Sequence, residues 1–242
     1  MTFYDITELQ SAQRKAAWAD VARRIAHEIK NPLTPIQLAA ERLKRRFTRE
    51  ITSDPDTFSQ CADTIIRHVG DIGRMVDEFS SFARMPQPVI KPEDVGRITR
   101  EALVLQRTAR PQINWSSEIP ERGPMVPCDR RLLSQALTNL LHNAADAVAM
   151  RNVAGTIGVR VEQGEDDVRI IVTDDGIGLP QEDRARLTEP YVTHKPKGTG
   201  LGLAIVKKIM EDHGGRLTLD DRPDGPGAVA ALVLPAKVSD GV

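Results

Sequence analysis

Cysteine is nearly missing from this sequence. Its 242 residues contain two, Cys61 and Cys128, too few for a disulfide framework or a cysteine-rich zinc site. A reducing compartment is therefore expected. Neither sign of charge is in excess: 33 Lys+Arg against 34 Asp+Glu leave a formal net charge of -1. That balance gives no bulk attraction for nucleic acid or an anionic membrane. No apolar run approaches the roughly 20 residues needed to cross a bilayer, and the polar opening MTFYDITELQ is not a signal peptide. The expectation is a cytoplasmic piece without membrane contact of its own; an inner-membrane parent would carry its anchor elsewhere. Repeats and low-complexity tracts are absent too. What remains, 40% hydrophobic and 28% charged residues, is ordinary globular composition for one large or two modest domains.

The first ninety residues read as helix. Val21, Ile25, Ile29, Leu33, Ile36, Ala40, Leu43 and Phe47 recur at steps of three and four, as do Phe58, Cys61, Ile65, Val69, Ile72, Val76, Phe79 and Ala83. Between the stripes TSDPD offers Asp54 as N-cap and Pro55 at the first helical position. Two amphipathic helices on a short loop make an antiparallel hairpin. A lone hairpin leaves much of both stripes wet, so a homodimer forming a four-helix bundle is expected. Three prolines within Met85–Pro92 mark a linker over 86–92. Beyond it the spacing predicts helices over 93–109, 129–150 and 201–213, the last ending at Gly214-Gly215. Strands are predicted at 112–117, 124–128, 156–162, 168–173, 216–220 and 228–234. Strand pairs mixed with helices point to an α+β sandwich with helices on one sheet face.

His27 lies about 200° around the first helix from Ile25, off the apolar stripe. Asn31 and Arg23 share its face, and Glu28 adjoins it. Pro32 and Pro35 remove backbone donors one turn later, so the helix is expected to bend just past His27. A carboxylate accepting from one ring nitrogen fixes the tautomer and leaves the other nitrogen free as a nucleophile. A solvated surface histidine is the plain alternative, and the local sequence does not choose.

Three clusters follow in the second half. Asn139 and Asn143 share a helix face, where amide oxygens suit magnesium held alongside phosphates; simple surface amides are the alternative. Asp174-Asp-Gly176-Ile-Gly178 closes a strand. Its glycines allow close backbone approach, and its carboxylate can accept from an adenine amine; an ordinary turn is the alternative. Lys195-Pro-Lys-Gly198-Thr-Gly200-Leu201-Gly202-Leu opens a helix whose N-terminal amides suit phosphate. It is neither the P-loop nor the dinucleotide fingerprint. Each cluster is weak alone; their order, with His27 upstream, is specific.

On these residues the chain resembles the transmitter region of bacterial two-component sensor histidine kinases over nearly its whole length. His27-Glu-Ile-Lys-Asn-Pro-Leu-Thr-Pro matches the phospho-acceptor box, Asn139–Asn143 the N box, and Asp174-x-Gly-x-Gly and Gly198-Thr-Gly-Leu-Gly-Leu the two glycine boxes. The text around His27 is most similar to the NtrY type of nitrogen-regulation kinase. FYDITEL is similar to the last strand of a PAS sensor, which makes 1–14 the end of an upstream module and its linker.

The resemblance implies a dimerisation and histidine-phosphotransfer hairpin over 15–85, a Bergerat-type α/β sandwich binding ATP over 93–236, and a tail at 237–242. It implies that His27 attacks the γ-phosphate with Glu28 as acid/base partner, and that Asn31 positions a water for dephosphorylating the partner. Asn143 would hold Mg2+ with Asn139 assisting, and Asp174 would read adenine in a pocket shaped by Gly176 and Gly178. Gly198, Gly200, Leu201 and Gly202 would form the lid and phosphate cradle, with Lys195 approaching the γ-phosphate. The implied partners are a second copy and the receiver domain of a response regulator, whose aspartate takes the phosphoryl group. Thr188-Glu-Pro-Tyr191 lacks the family's usual first aromatic, a departure that bears on lid anchoring. The nucleotide fold also serves gyrase and heat-shock ATPases, which need no phospho-acceptor.

Other features read plainly. The run Arg42, Lys44, Arg45, Arg46 and Arg49 is a solvated basic face at a helix C-terminus rather than a nucleic-acid patch. Cys61 falls on the apolar stripe and is expected to pack. His68, His142, His194 and His213 lack metal-ligand spacing.

Overall fold

The computed structural model describes residues 7–83, 87–151, 154–193 and 198–236. The chain divides after Pro86 into two compact units.

The first unit is the hairpin of α1 (Thr7–Phe47) and α2 (Pro55–Ala83). Asp54 caps α2 by accepting the Thr57 N–H at 3.1 Å, satisfying an amide that the helix start leaves unpaired. This bond, with the Pro55 start, is as the sequence predicts. α1 runs through Pro32 and Pro35 without interruption. Lys30 reaches Asp77 and Lys44 reaches Asp63. The two pairs lie fourteen residues apart on each helix in opposite directions, which sets the antiparallel register. Small residues fill the seam: Ala26, Ala40, Ala62, Val69, Val76 and Ser80 are buried. Much of the large apolar stripe is outside it. Ile25, Ile29, Ile36, Leu43, Ile65, Ile72 and Met75 are each 38–49% exposed. Cys61 is exposed in the single chain as well: α2 buries Ala62 and leaves Cys61 among the outward residues, so the expected packing of Cys61 is not made within one hairpin.

The second unit opens on β1 (Lys91–Asp94), where the sequence reading placed a linker and the start of a helix. β1 pairs antiparallel with β3 (Met125–Cys128), opposing Pro92 to Pro127. Neither proline has an N–H, so the match belongs at a non-hydrogen-bonded position of a two-stranded ribbon. α3 (Val95–Ala109) follows, its first turn capped by Asp94, which accepts Arg97 N–H at 2.8 Å.

The main sheet has the order β2-β4-β5-β7-β6, with β2 (Asn114–Glu118), β4 (Thr156–Gln163), β5 (Asp167–Asp174), β6 (Arg216–Asp221) and β7 (Ala228–Pro235). β2 lies parallel to β4 and the other neighbours are antiparallel. Ile157, Val159 and Val161 of β4 and Val168, Ile170 and Val172 of β5 are buried at alternate positions, as a sheet with one covered face requires. α4 (Arg130–Ala149) and α5 (Gly202–Asp212) pack on the sheet. α4 contributes Leu133, Leu137, Leu141 and Ala145, all without accessible surface. Burial of each such leucine is worth about 1.5–3 kcal/mol. The α+β sandwich expected from the sequence is thus the observed architecture.

One polar junction ties the starts and ends of these elements together. Asp129 caps α4 through Oδ1, which accepts Arg131 N–H at 2.9 Å and Leu132 N–H at 3.1 Å, while Oδ2 accepts Val89 N–H at 3.0 Å. Its own N–H donates to His213 Nε2 at 2.9 Å. His213 Nδ1 therefore carries the proton and donates it to Ile209 O at 2.7 Å. The histidine that lacked ligand spacing is a buried strut between α5 and α4. Beside it, burial, reinforced by Glu93 and Asp129, pushes the Cys128 thiol up to about 12, so this cysteine is packing and not a nucleophile.

Desolvation pushes the Asp129 carboxyl up, but the donors from Val89, Leu132 and Arg131 outweigh it and hold it below the ordinary carboxylate value. A group depressed on folding stabilises fully above its unfolded value and loses that contribution as pH falls through the folded one. Asp129→Ala should therefore lower Tm at pH 7 by about 4–8 °C, from the loss of roughly 2 kcal/mol of capping and satisfied donors. In melts followed by circular dichroism, the gap from wild type should narrow between pH 4 and pH 2.

Candidate functional site

α4 buries one face on the sheet and keeps its amides off it. Asn139 and Asn143 are half-buried. Asn139 Nδ2 donates to Gly202 O at 3.4 Å, and a Cβ on Gly202 would stand 3.8 Å from Asn143 Nδ2. The two amides and the first residue of α5 are thus brought together. Leu201 is completely buried, so its side chain serves the core and only its backbone faces this region; its N–H donates to Thr199 Oγ1 at 3.2 Å. Leu201 occupies the N-cap position of α5 without supplying a side-chain cap, leaving the positive end of the helix without that acceptor.

The end of β5 comes against the same helix from another side. Asp174 is buried, and its Oδ1 accepts Gly176 N–H at 2.8 Å. A Cβ on Gly176 would lie 2.5 Å from the Ala147 carbonyl carbon, inside α4. Ile177 N–H donates to Ala147 O at 3.2 Å. Gly178 has φ +81°, a left-handed conformation that favours glycine. Behind the turn, Gly227 is as necessary: a Cβ there would fall 1.9 Å from Asp174 O. The sequence reading did not single out Gly227, although its surroundings, Asp224-Gly-Pro-Gly227, signal a tight turn.

The segment after this turn is closed at its base by Tyr191 N–H donating to Gly200 O at 3.0 Å. Both residues are left-handed, Tyr191 at φ +67° and Gly200 at φ +71°. A Cβ on Gly200 would meet Tyr191 C at 2.5 Å. In place of the aromatic missing at Thr188, Leu187 is the buried residue, and the Tyr191 ring is exposed. Gly198 is half-buried. Lys195 lies outside the described residues.

On the hairpin, His27, Glu28 and Asn31 are all exposed, while Ala26 is buried. The imidazole thus stands off the seam, as the helical spacing predicts. Glu28 meets Arg24 Nε at 3.4 Å in an exposed i,i+4 pair, worth about 0.3–0.5 kcal/mol. That pair is too weak to keep the carboxylate from another partner. Along the basic run, Lys44 is paired with Asp63 and Arg46 stacks 5.5 Å from the Phe47 ring centroid. Among the described residues no three His, Cys, Asp or Glu side chains are grouped to hold a metal, and no helix is long and apolar enough to cross a membrane.

Residues 17–88 match the family model "His Kinase A (phospho-acceptor) domain", and residues 128–238 match "Histidine kinase-, DNA gyrase B-, and HSP90-like ATPase". The chain is 59% identical to the nitrogen regulation protein NtrY of Azorhizobium caulinodans, over 98% of this chain and 31% of that protein. It is 39% identical to a putative NtrY-like sensor histidine kinase of Rickettsia conorii, over 96% of this chain and 38% of that one. It thus spans about a third of the length of these curated relatives. Among solved structures, the mycobacterial sensor histidine kinase MprB aligns with TM-score 0.55 and 32% identity over 61% of this chain and 97% of that one. The histidine kinase ThkA, in complex with the response regulator protein TrrA, aligns with TM-score 0.67 and 25% identity over 97% of this chain and 66% of that one. A phospho-acceptor hairpin followed by an ATP-binding domain of this kind places the chain in the sensor histidine kinase family, to which it belongs.

Proposed function

We propose that this chain is the cytoplasmic transmitter core of a sensor kinase that phosphorylates His27 from Mg-ATP and passes the phosphoryl group to an aspartate of a response-regulator receiver domain. The observation that carries the reading is His27 itself: a solvent-facing imidazole with Glu28 beside it and Asn31 one turn on. A structural histidine in this protein looks different, as His213 shows with both ring nitrogens engaged in the core.

In the proposed reaction one ring nitrogen of neutral His27 forms the N–P bond to the γ-phosphorus, and the P–O bond to ADP breaks, its electron pair leaving with ADP. Glu28 releases Arg24 and accepts from the other ring N–H, stabilising the positive charge that develops. The receiver aspartate then attacks the same phosphorus and the N–P bond breaks, restoring neutral His27. Asn31, four residues along the same face, orients a water toward the regulator's acyl phosphate for a separate phosphatase activity, in which the water oxygen bonds phosphorus, the P–O bond to the aspartate breaks, and inorganic phosphate leaves.

Asp174 accepts from the adenine amine, with Gly176 and Gly178 letting the backbone approach the base. Gly198, Gly200, the backbone of Leu201 and Gly202 cradle the phosphates, and Lys195 contributes charge there. Asn143 and Asn139 suit magnesium. The donors are two neutral amides, and among the described residues no carboxylate cluster joins them, which fits an ion that keeps its waters and takes most ligands from phosphate. When bound, such an ion would supply positive charge against that developing on the phosphates. The exposed stripe of isoleucines on the hairpin supports a homodimer in a four-helix bundle.

Labelled ATP with magnesium should place acid-labile, base-stable label on the wild-type chain and none on His27→Ala, which still binds ADP by calorimetry; undiminished labelling of that variant would overturn the assignment. Gly176→Ala should fold but bind ADP at least tenfold more weakly, since the α4 backbone cannot yield to the new methyl. Light scattering should give twice the chain mass for wild type. Ile72→Glu, at a position 42% exposed in the single chain, should shift the mass toward one copy.

A further inference from the structure

Asp175, between Asp174 and the glycine turn, is held at its carboxylate, its N–H and its carbonyl. Its Oδ1 accepts Thr156 N–H at 2.9 Å, and its own N–H donates to Thr156 O at 3.2 Å. Its carbonyl accepts from the Arg151 guanidinium. The registered ladder between β4 and β5 ends at Ile157↔Asp174. The Asp175 carboxylate thus continues the pairing one residue past the last pair, where the backbone must turn toward α4 to deliver Gly176.

The chain entering β4 is shaped around that carboxylate. A Cβ on Gly155 would stand 2.7 Å from Asp175 Oδ1, and one on Gly227 would stand 2.9 Å from the Asp175 Cα. Backbone closes in on Asp175 from two directions, with glycine where a side chain would intrude. The peptide joining Asp175 to Gly176 also carries the N–H that the Asp174 carboxylate accepts at 2.8 Å. A rotation at Asp175 would therefore swing the partner that orients Asp174.

We infer that Asp175 is a positioning residue for base recognition: by holding Thr156 it sets the place of the Asp174 carboxylate, and so the selectivity for a 6-aminopurine nucleotide. This rests on the proposed contact of Asp174 with the adenine amine. Asparagine at 175 keeps an oxygen that can accept from Thr156, whereas alanine has none.

The test compares Mg-ADP with the Mg complex of purine riboside 5′-diphosphate, which carries hydrogen in place of the amine, by calorimetry on the full chain. Wild type should prefer ADP. Asp175→Ala should lose about tenfold in ADP affinity while binding the purine analogue as wild type does, and Asp175→Asn should restore the preference. Equal weakening of both nucleotides in Asp175→Ala would show a merely structural role and overturn the inference, as would an unchanged preference. If the alanine variant does not fold, Asp175→Val, which likewise has no acceptor, is held to the same outcomes. A wild type that shows no preference would instead fail at the Asp174 contact, before the question of Asp175 arises.

Discussion

The second unit depends on one close approach, the end of β5 against the last turns of α4. Gly176 lies so near the Ala147 backbone that a single methyl would collide with it, and the Ile177 bond to Ala147 O holds the two elements in register. Because α4 has its buried leucines locked onto the sheet, any intrusion here must be met by the turn and not by the helix. Interiors packed to crystalline density transmit such displacements rather than absorb them. The same helix presents Asn139 and Asn143 beside the start of α5. One rigid element therefore places the turn on one side and the amides on another, a better support for a small-molecule site than a loop would be.

The hairpin is built on the opposite plan. Its seam is lined by alanine, valine and serine, which let α1 and α2 approach closely, while isoleucines, two leucines and a methionine are left wet. At about 25 cal/mol per Å² of apolar surface, the seam alone recovers little of what these helices could bury. The outward part of the apolar stripes could be buried only against surface outside the single hairpin. Cys61 belongs with that outer set. The α2 stripe serves two lines of contact, with Val69 and Val76 buried in the hairpin and Ile65 and Ile72 turned outward.

Much of this was legible in the sequence where a single periodicity governs a long segment. The α2 start at Asp54-Pro55, the helix over 129–150 and the paired strands flanking Gln163–Asp166 are local patterns, and the chain obeys them. β1 was not legible, because Pro92 argues against a strand everywhere except in a ribbon whose partner also lacks the donor, and Pro127 is 35 residues away. The parallel pairing of β2 with β4 is likewise invisible locally. In the site, Asp174 and Gly176 were marked by their motif, but what Gly176 must avoid is a helix backbone 29 residues earlier. The polar links of Asp129 with His213, and of Asp175 with Thr156, join residues whose spacing carries no signal at all.

The contrast between the two proposed centres matches what the proposed function asks of each. A carboxylate that reads a base gains by being fixed beforehand, since orientation spent before binding is not lost on binding. Asp174 fits that demand, being buried and already holding Gly176 N–H. A nucleophile that must meet a nucleotide, then a regulator, cannot be enclosed, because each partner has to reach the same nitrogen. His27, the proposed nucleophile, is exposed, and among the described residues its neighbour Glu28 is held by Arg24 in solvent. A pair worth a few tenths of a kcal/mol is comparable to RT. On the proposed function, Glu28 would exchange Arg24 for an imidazolium at almost no cost, and the charge developing on the ring during the proposed transfer would supply the bias that a neutral ring does not.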